Sequence, residues 1–208
     1  MPLPPTEISR HRLHQRSIVL EGWQRDDGLW DIEARLVDRK DHDYPLASGV
    51  RLQGEAIHDM WIRVTVDQQL NVHDAVASSD SVPYPGGCDT IAPDYGRLKG
   101  LNLSRGFRRA TTELFESVRG CSHMTELTNL LPTAAIQTFA SLVRDVEGYS
   151  GDQKPFQLDQ CHALESSSET VRRYYPRWFR DLHTPGTGDP PKTMPASVQR
   201  NTNNKEDA

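Results

Sequence analysis

The residues of this 208-residue chain whose types could do chemistry are a scatter of cysteines, histidines and acids. The most suggestive group is Arg119-Gly120-Cys121-Ser122-His123-Met124-Thr125-Glu126, placed where one helical pattern stops and the next begins. Backbone N–H groups at a helix start are unpaired and partly positive, an environment that favours a thiolate. His123 and Glu126 stand three apart and so share a helix face. A thiolate, an imidazole and a carboxylate within one turn can hold a metal, or pair a nucleophile with its base. The plain alternative is that Cys121 packs as a small apolar residue and His123 caps the helix.

His58-Asp59 stands just ahead of an apolar-alternating run, and either residue could ligate a metal or act as general acid or base. Its ordinary reading is a solvated strand entry. Cys88 follows Pro83-Tyr84-Pro85-Gly86-Gly87, whose glycines let the backbone approach a ligand closely; it reads equally as a buried cysteine closing a turn. Cys161-His162 is a third thiol–imidazole neighbour pair, but adjacent residues on a regular element point different ways. No two cysteines show the short spacing of a zinc knuckle, so a metal site must be assembled by the fold. Arg172, Arg173, Arg177 and Arg180, interleaved with Tyr174, Tyr175, Trp178 and Phe179, could hold an anion but read better as an amphipathic segment. Arg10, His11, His14 and Arg16 read as a solvated N-terminal arm.

The elements that must position these groups are legible in the periodicity. Ser17 to Trp23 and Leu29 to Asp38 flank the turn signal Arg25-Asp26-Asp27-Gly28. Trp30, Ile32, Ala34 and Leu36 alternate with polar residues, as in a half-buried strand of a hairpin. A second hairpin joins Met60–Val66 to Leu70–Ala77, with Ile62 and Val64 inward and Arg63 and Thr65 outward. Ser78 to Gly87 is a loop that delivers Cys88 to a short helix. Phe107 to Val118 has helical spacing stopped by Gly120, and a long helix from Cys121 continues through Leu142 to Val146, with Pro132 expected to kink or restart it. Glu169 to Leu182 is helical in part and broken at Pro176. Hairpins followed by helices predict an α+β fold, an antiparallel sheet with helices packed on one face. The expected organisation is an arm over 1–16, one domain over 17–182 and a disordered tail over 183–208, where almost nothing is apolar.

Composition narrows the function. A net charge of −5 argues against a nucleic-acid partner. No apolar run reaches the roughly eighteen residues of a membrane span, and the first residues lack the basic start and apolar core of a signal peptide. Three cysteines do not make a disulfide framework. A cytoplasmic protein acting on a small molecule is therefore expected. Neither a dinucleotide fingerprint nor a phosphate-binding loop is present.

Glu21-Gly22-Trp23-Gln24-Arg25-Asp26-Asp27-Gly28-Leu29-Trp30-Asp31-Ile32-Glu33, Ile57-His58-Asp59-Met60-Trp61 and Gly120-Cys121-Ser122-His123-Met124-Thr125-Glu126-Leu127 resemble the mainly bacterial family named domain of unknown function 2889. The resemblance runs from about Arg10 to Phe179 and implies a fold-level grouping. From His58 to Phe139 the layout is also similar to the NifU-type iron–sulfur scaffold fold. That likeness implies a ligand pair ahead of a strand, a glycine-preceded cysteine at a helix start and a third cysteine opening a long helix. Here those places fall to His58-Asp59, Gly87-Cys88 and Cys121-Ser122, with histidine where the scaffold has its first cysteine.

These readings converge on one expectation, a mononuclear zinc or iron enzyme with ligands drawn from His58, Cys88, Cys121 and His123. A mixed N/S donor set suits either ion. An open coordination position would give hydrolase, hydratase or C–C lyase chemistry, with His58, Asp59, His123 and Glu126 as the acid–base candidates. The alternatives are a non-catalytic metal or iron–sulfur carrier and a metal-free small-molecule binding protein.

Overall fold

The computed structural model describes residues 3–144, 146 and 153–181. The chain divides into two compact units, Met1–Val146 and Glu147–Ala208. The tail expected over 183–208 lies outside the described residues.

The first unit is built on a four-stranded antiparallel sheet, ordered β1 (His14–Gln24), β2 (Trp30–Lys40), β5 (Ala56–Val66) and β6 (Val72–Ser81). A small hairpin of β3 (Tyr44–Leu46) and β4 (Gly49–Arg51) interrupts the run between β2 and β5. The first hairpin closes as its turn residues demand: Arg25 donates its N–H to Leu29 at 2.9 Å and Gly28 takes φ +82°, the left-handed region open to glycine. His14, Gln15 and Arg16 belong to β1, paired with Lys40, Arg39 and Asp38, and not to a solvated arm. His14 and Arg16 are held against β2 by their side-chain hydrogen bonds to Asp38.

The inner face of the sheet is apolar by alternation. Trp30, Ile32, Ala34 and Leu36 of β2 and Met60, Ile62, Val64 and Val66 of β5 are all buried. α1 (Phe107–Phe115) and α2 (Ser122–Phe139) follow in the chain, and α2 covers the inner face with Met124, Leu127, Leu131, Ala135 and Phe139. Phe139 meets Trp30 edge to face at 5.1 Å. A run of 3-10 turns, Asp89–Leu98, adds Tyr95, which stacks on Phe115 at 4.2 Å.

Several boundaries depart from the periodicity. The return strand β6 runs from Val72 to Ser81, with Leu70 in the turn at φ +66°, so the loop begins only at Val82. α1 ends at Phe115 and leaves Val118 95% exposed; α2 ends at Phe139 and leaves Leu142 84% exposed. Ser117 and Ser141 adopt positive φ beyond these ends, a conformation no right-handed helix continues through. Pro132 sits within α2 without restarting it; buried side chains in the turns on either side outweigh one lost backbone bond. Thr65 does lie on the outer face, yet it is buried, bonded to Asp31 at 2.6 Å beneath Arg25. No helix among the described residues is long and apolar enough to cross a membrane.

In the second unit α3 (Glu169–Tyr174) is capped by Ser168, whose side chain accepts from the Val171 N–H, and Pro176 opens a separate 3-10 turn. Arg173 and Arg177 lie over the rings of Tyr174 and Trp178. The Asp159 carboxylate accepts from the Ser166 N–H and hydroxyl and pairs with Lys154. Cys161 is exposed and precedes the 3-10 turn His162–Leu164.

Candidate metal centre

At one end of the inner face the apolar alternation continues in polar residues. Continuing inward positions past Ile18 on β1, Leu36 on β2 and Met60 on β5 leads to Arg16, Asp38 and His58, and these three stand directly opposite one another across the strands. His14 is the next inward residue of β1. The ladder between β2 and β5 shifts register between Asp38 and Arg39, a bulge of the kind that re-aims side chains at the rim of a sheet. The first turn of α2 lies above this row and brings His123 and Glu126 down onto it.

Asp38 is the hub, with its side chain only 4% exposed. Its Oδ1 accepts from His14 Nε2 and Arg16 Nε, each at 2.9 Å; its Oδ2 accepts from Arg16 Nη2 at 2.8 Å and His58 Nδ1 at 3.0 Å. Burial opposes ionisation of this carboxyl, but the hydrogen bonds from Arg16 and His14 outweigh it and hold the group well below the usual carboxylate range. Because an ionised carboxylate only accepts, the His58 nitrogen facing it carries the proton and the opposite nitrogen has a free lone pair. His123 stacks on His58 with ring centroids 3.8 Å apart, and its Nε2 lies 3.7 Å from Asp38 Oδ2. Burial lowers the pKa of both imidazoles, partly offset for His58 by the bond to Asp38 and deepened for His123 by its neighbour His58. Both rings are therefore neutral near pH 7, the state in which imidazole is a ligand.

The other expected site residues are distributed around this hub. Glu126 accepts a hydrogen bond from Arg16 Nη1 and so reaches Asp38 through the guanidinium. Cys121 lies ahead of α2, its sulfur 3.9 Å from His123 Nδ1, on the far side of the ring from Asp38. Its backbone is pinned by the Tyr95 hydroxyl, which meets both its N–H and its carbonyl. Cys88 precedes the 3-10 run as expected, half-buried against the core. Among the described residues, the groups close enough to share one ion are Asp38, His58 and His123, with donor atoms within 4.8 Å of one another. Neither cysteine belongs to that set. Asp59 is a correction: it forms a two-pronged ion pair with Arg35 on the outer face, at 2.7 and 2.8 Å. Adjacent strand residues point to opposite faces, so His58 and Asp59 cannot serve one site.

Three members of the cluster are absent from the sequence-based site: Asp38, Arg16 and His14. A signal for them was present, since each sits in phase with an inward apolar stripe, where a charged group must be paired or bound.

The fold and the cluster define an α+β domain that carries a buried aspartate–histidine pair, with a second histidine against it, at one end of its helix-covered sheet face. The chain belongs to the family described as protein of unknown function (DUF2889), whose model matches residues 14–137. That span runs from the start of β1 into the last turn of α2 and includes every member of the cluster. No curated protein and no solved structure matches the chain, so the likeness to the NifU-type fold finds no support there.

Proposed function

We propose that this chain is a metal-dependent enzyme whose single zinc or ferrous ion is held by Asp38, His58 and His123. The spacing of the donors carries the reading. Two donors bonded to one ion at about 2.1 Å lie about 3.0 Å apart at a right angle and about 3.4 Å apart at the tetrahedral angle. His58 Nδ1 and His123 Nε2 lie 3.0 and 3.7 Å from Asp38 Oδ2. The ion would take the place of the proton now shared between His58 and Asp38. Two imidazoles and a carboxylate leave coordination positions for water and a substrate oxygen, the requirement for hydrolase, hydratase or lyase chemistry on a small molecule. Glu126, with its side chain 48% exposed beside Arg16, is the group placed to move a proton at the rim.

A second, metal-free reading rests on the Arg16 fork, which neutralises Asp38 without an ion. In that case His58, oriented by Asp38, is the acid–base or binding group of a small-molecule site. Elemental analysis of the purified protein, followed by zinc and ferrous titration of the stripped protein, separates the two. The metal reading expects about one equivalent bound and a loss of at least about tenfold in affinity for His123→Ala. Stripped protein that takes up neither ion would exclude it. Hand-over of the bound ion to an apo-acceptor, without turnover of any substrate, would instead mark a carrier.

A further inference from the structure

We propose that the outer edge of β1 is where two copies of this chain join, by antiparallel pairing of β1 with its own copy about Val19. The two edges of the sheet are treated differently. Beyond β6, the Val72 N–H donates to Leu101 at 2.8 Å and the Val72 carbonyl accepts from Gly100 at 2.9 Å. The β5–β6 ladder shifts register twice, and Asp74 and Asp80 lie along β6. Bulges, charges and covering segments of this kind keep an edge from pairing with another chain.

β1 carries the charges Arg16 and Glu21 but has no bulge and no covering segment among the described residues. Its eleven residues pair with β2 without a register shift, and they include no proline and no lysine. Among the described residues, no backbone group beyond β2 bonds to His14–Gln24. Apolar side chains gather at this edge on both faces. Val19 and Trp23 are each 53% exposed on the outer face. On the inner face Leu20 and Gly22 line a groove of about 420 Å³ with Leu130, Ala134 and Thr138 of α2. A long, uncovered edge of regular register that exposes apolar side chains at its middle is a template for another strand.

The occupant is a second copy because the strand is complementary to itself. With a two-fold axis through Val19 and normal to the sheet, Val19 faces its own copy. Ile18 faces Leu20, Ser17 faces Glu21 and Arg16 faces Gly22, so no like charges oppose each other. Inner faces stay on the same side, and the product is an eight-stranded sheet with α2 and its copy covering one face. The cluster around Asp38 enters each half intact, so this interface stands or falls separately from the metal reading.

Light scattering of the full chain should give twice the 23.5 kDa chain mass. Val19→Asp, which sets two carboxylates face to face at the axis, should halve the mass while leaving the circular dichroism unchanged. Val19→Cys should form a disulfide-linked dimer on mild oxidation, since directly opposed antiparallel residues have the required Cα separation of about 4.5–5.5 Å. Wild type, with its three native cysteines, should not. A monomeric wild type overturns the proposal, as does a folded Val19→Asp variant that remains dimeric. If Val19→Asp fails to fold, failure of Val19→Cys to cross-link overturns it equally.

Discussion

Arg16 and Asp38 face each other across β1 and β2 and are joined by both prongs of the guanidinium fork, at 2.9 Å from Nε and 2.8 Å from Nη2. Asp38 is almost fully buried, so its ionised form depends on partners supplied by other strands. Removing one partner of a buried pair leaves the other charge uncompensated, which costs more than the pair contributes intact. Arg16→Met should therefore destabilise the fold by roughly 3 kcal/mol, while Arg16→Met combined with Asp38→Leu should recover part of that loss. Urea unfolding of the wild type and the two variants measures both, and a harmless Arg16→Met substitution would show that Asp38 does not rely on Arg16.

The imidazoles give the metal-free protein an acid limb. His58 and His123 have folded pKa values below the ordinary value, which is about 6.5 in an unfolded chain. As pH falls through about 6.5, the unfolded chain takes up protons that the folded chain refuses, so stability drops until the lower folded pKa is reached. Asp38 adds a further loss only below about 3.9, as pH falls toward its depressed folded value. The urea midpoint should be flat above neutrality and decline as pH falls below about 6.5. His58→Gln should flatten that decline, and a midpoint that rises on acidification would contradict the assignment.

The contact between β1 and α2 depends on Gly22. A Cβ built there would stand 1.9 Å from Thr138 Oγ1 and 2.7 Å from Thr138 Cβ. Gly22→Ala should lower stability by about 1–3 kcal/mol through overpacking. Thr138→Gly in the same chain should relieve the clash at the expense of helix propensity. Thermal melts of the single and double variants test this, and a neutral Gly22→Ala would mean that β1 and α2 can separate freely.

Ile62 and Thr65 separate two kinds of burial on one strand. Ile62 is 1% exposed within the core, and Ile62→Ala should cost about 2–5 kcal/mol. Thr65 is 5% exposed on the other face and hydrogen-bonded to Asp31. Thr65→Ala should cost about 1–2 kcal/mol, more than an outward strand residue ordinarily would. A Thr65→Ala cost exceeding that of Ile62→Ala would overturn the assigned faces.

The alternation of Trp30, Ile32, Ala34 and Leu36, and of Met60, Ile62, Val64 and Val66, determined by itself that this chain builds hairpins with one buried face. The helical spacing of Met124, Leu127, Leu131, Ala135 and Phe139 determined what covers that face. Such patterns are local, because period and burial repeat within a few residues. The meeting of His58 with His123 over Asp38 is not local. It depends on strand register, which sets Arg16, Asp38 and His58 in one row, and on where α2 begins along that row. It also depends on the pleat, which turns Asp59 away from its neighbour to pair with Arg35. Thiols drew the sequence reading toward Cys88 and Cys121, whereas among the described residues the donors within reach of one ion are a carboxylate and two imidazoles. Residue type alone marks which groups could bind; distance between strands far apart in sequence decides which of them can meet at one point, and only the tertiary structure sets that distance.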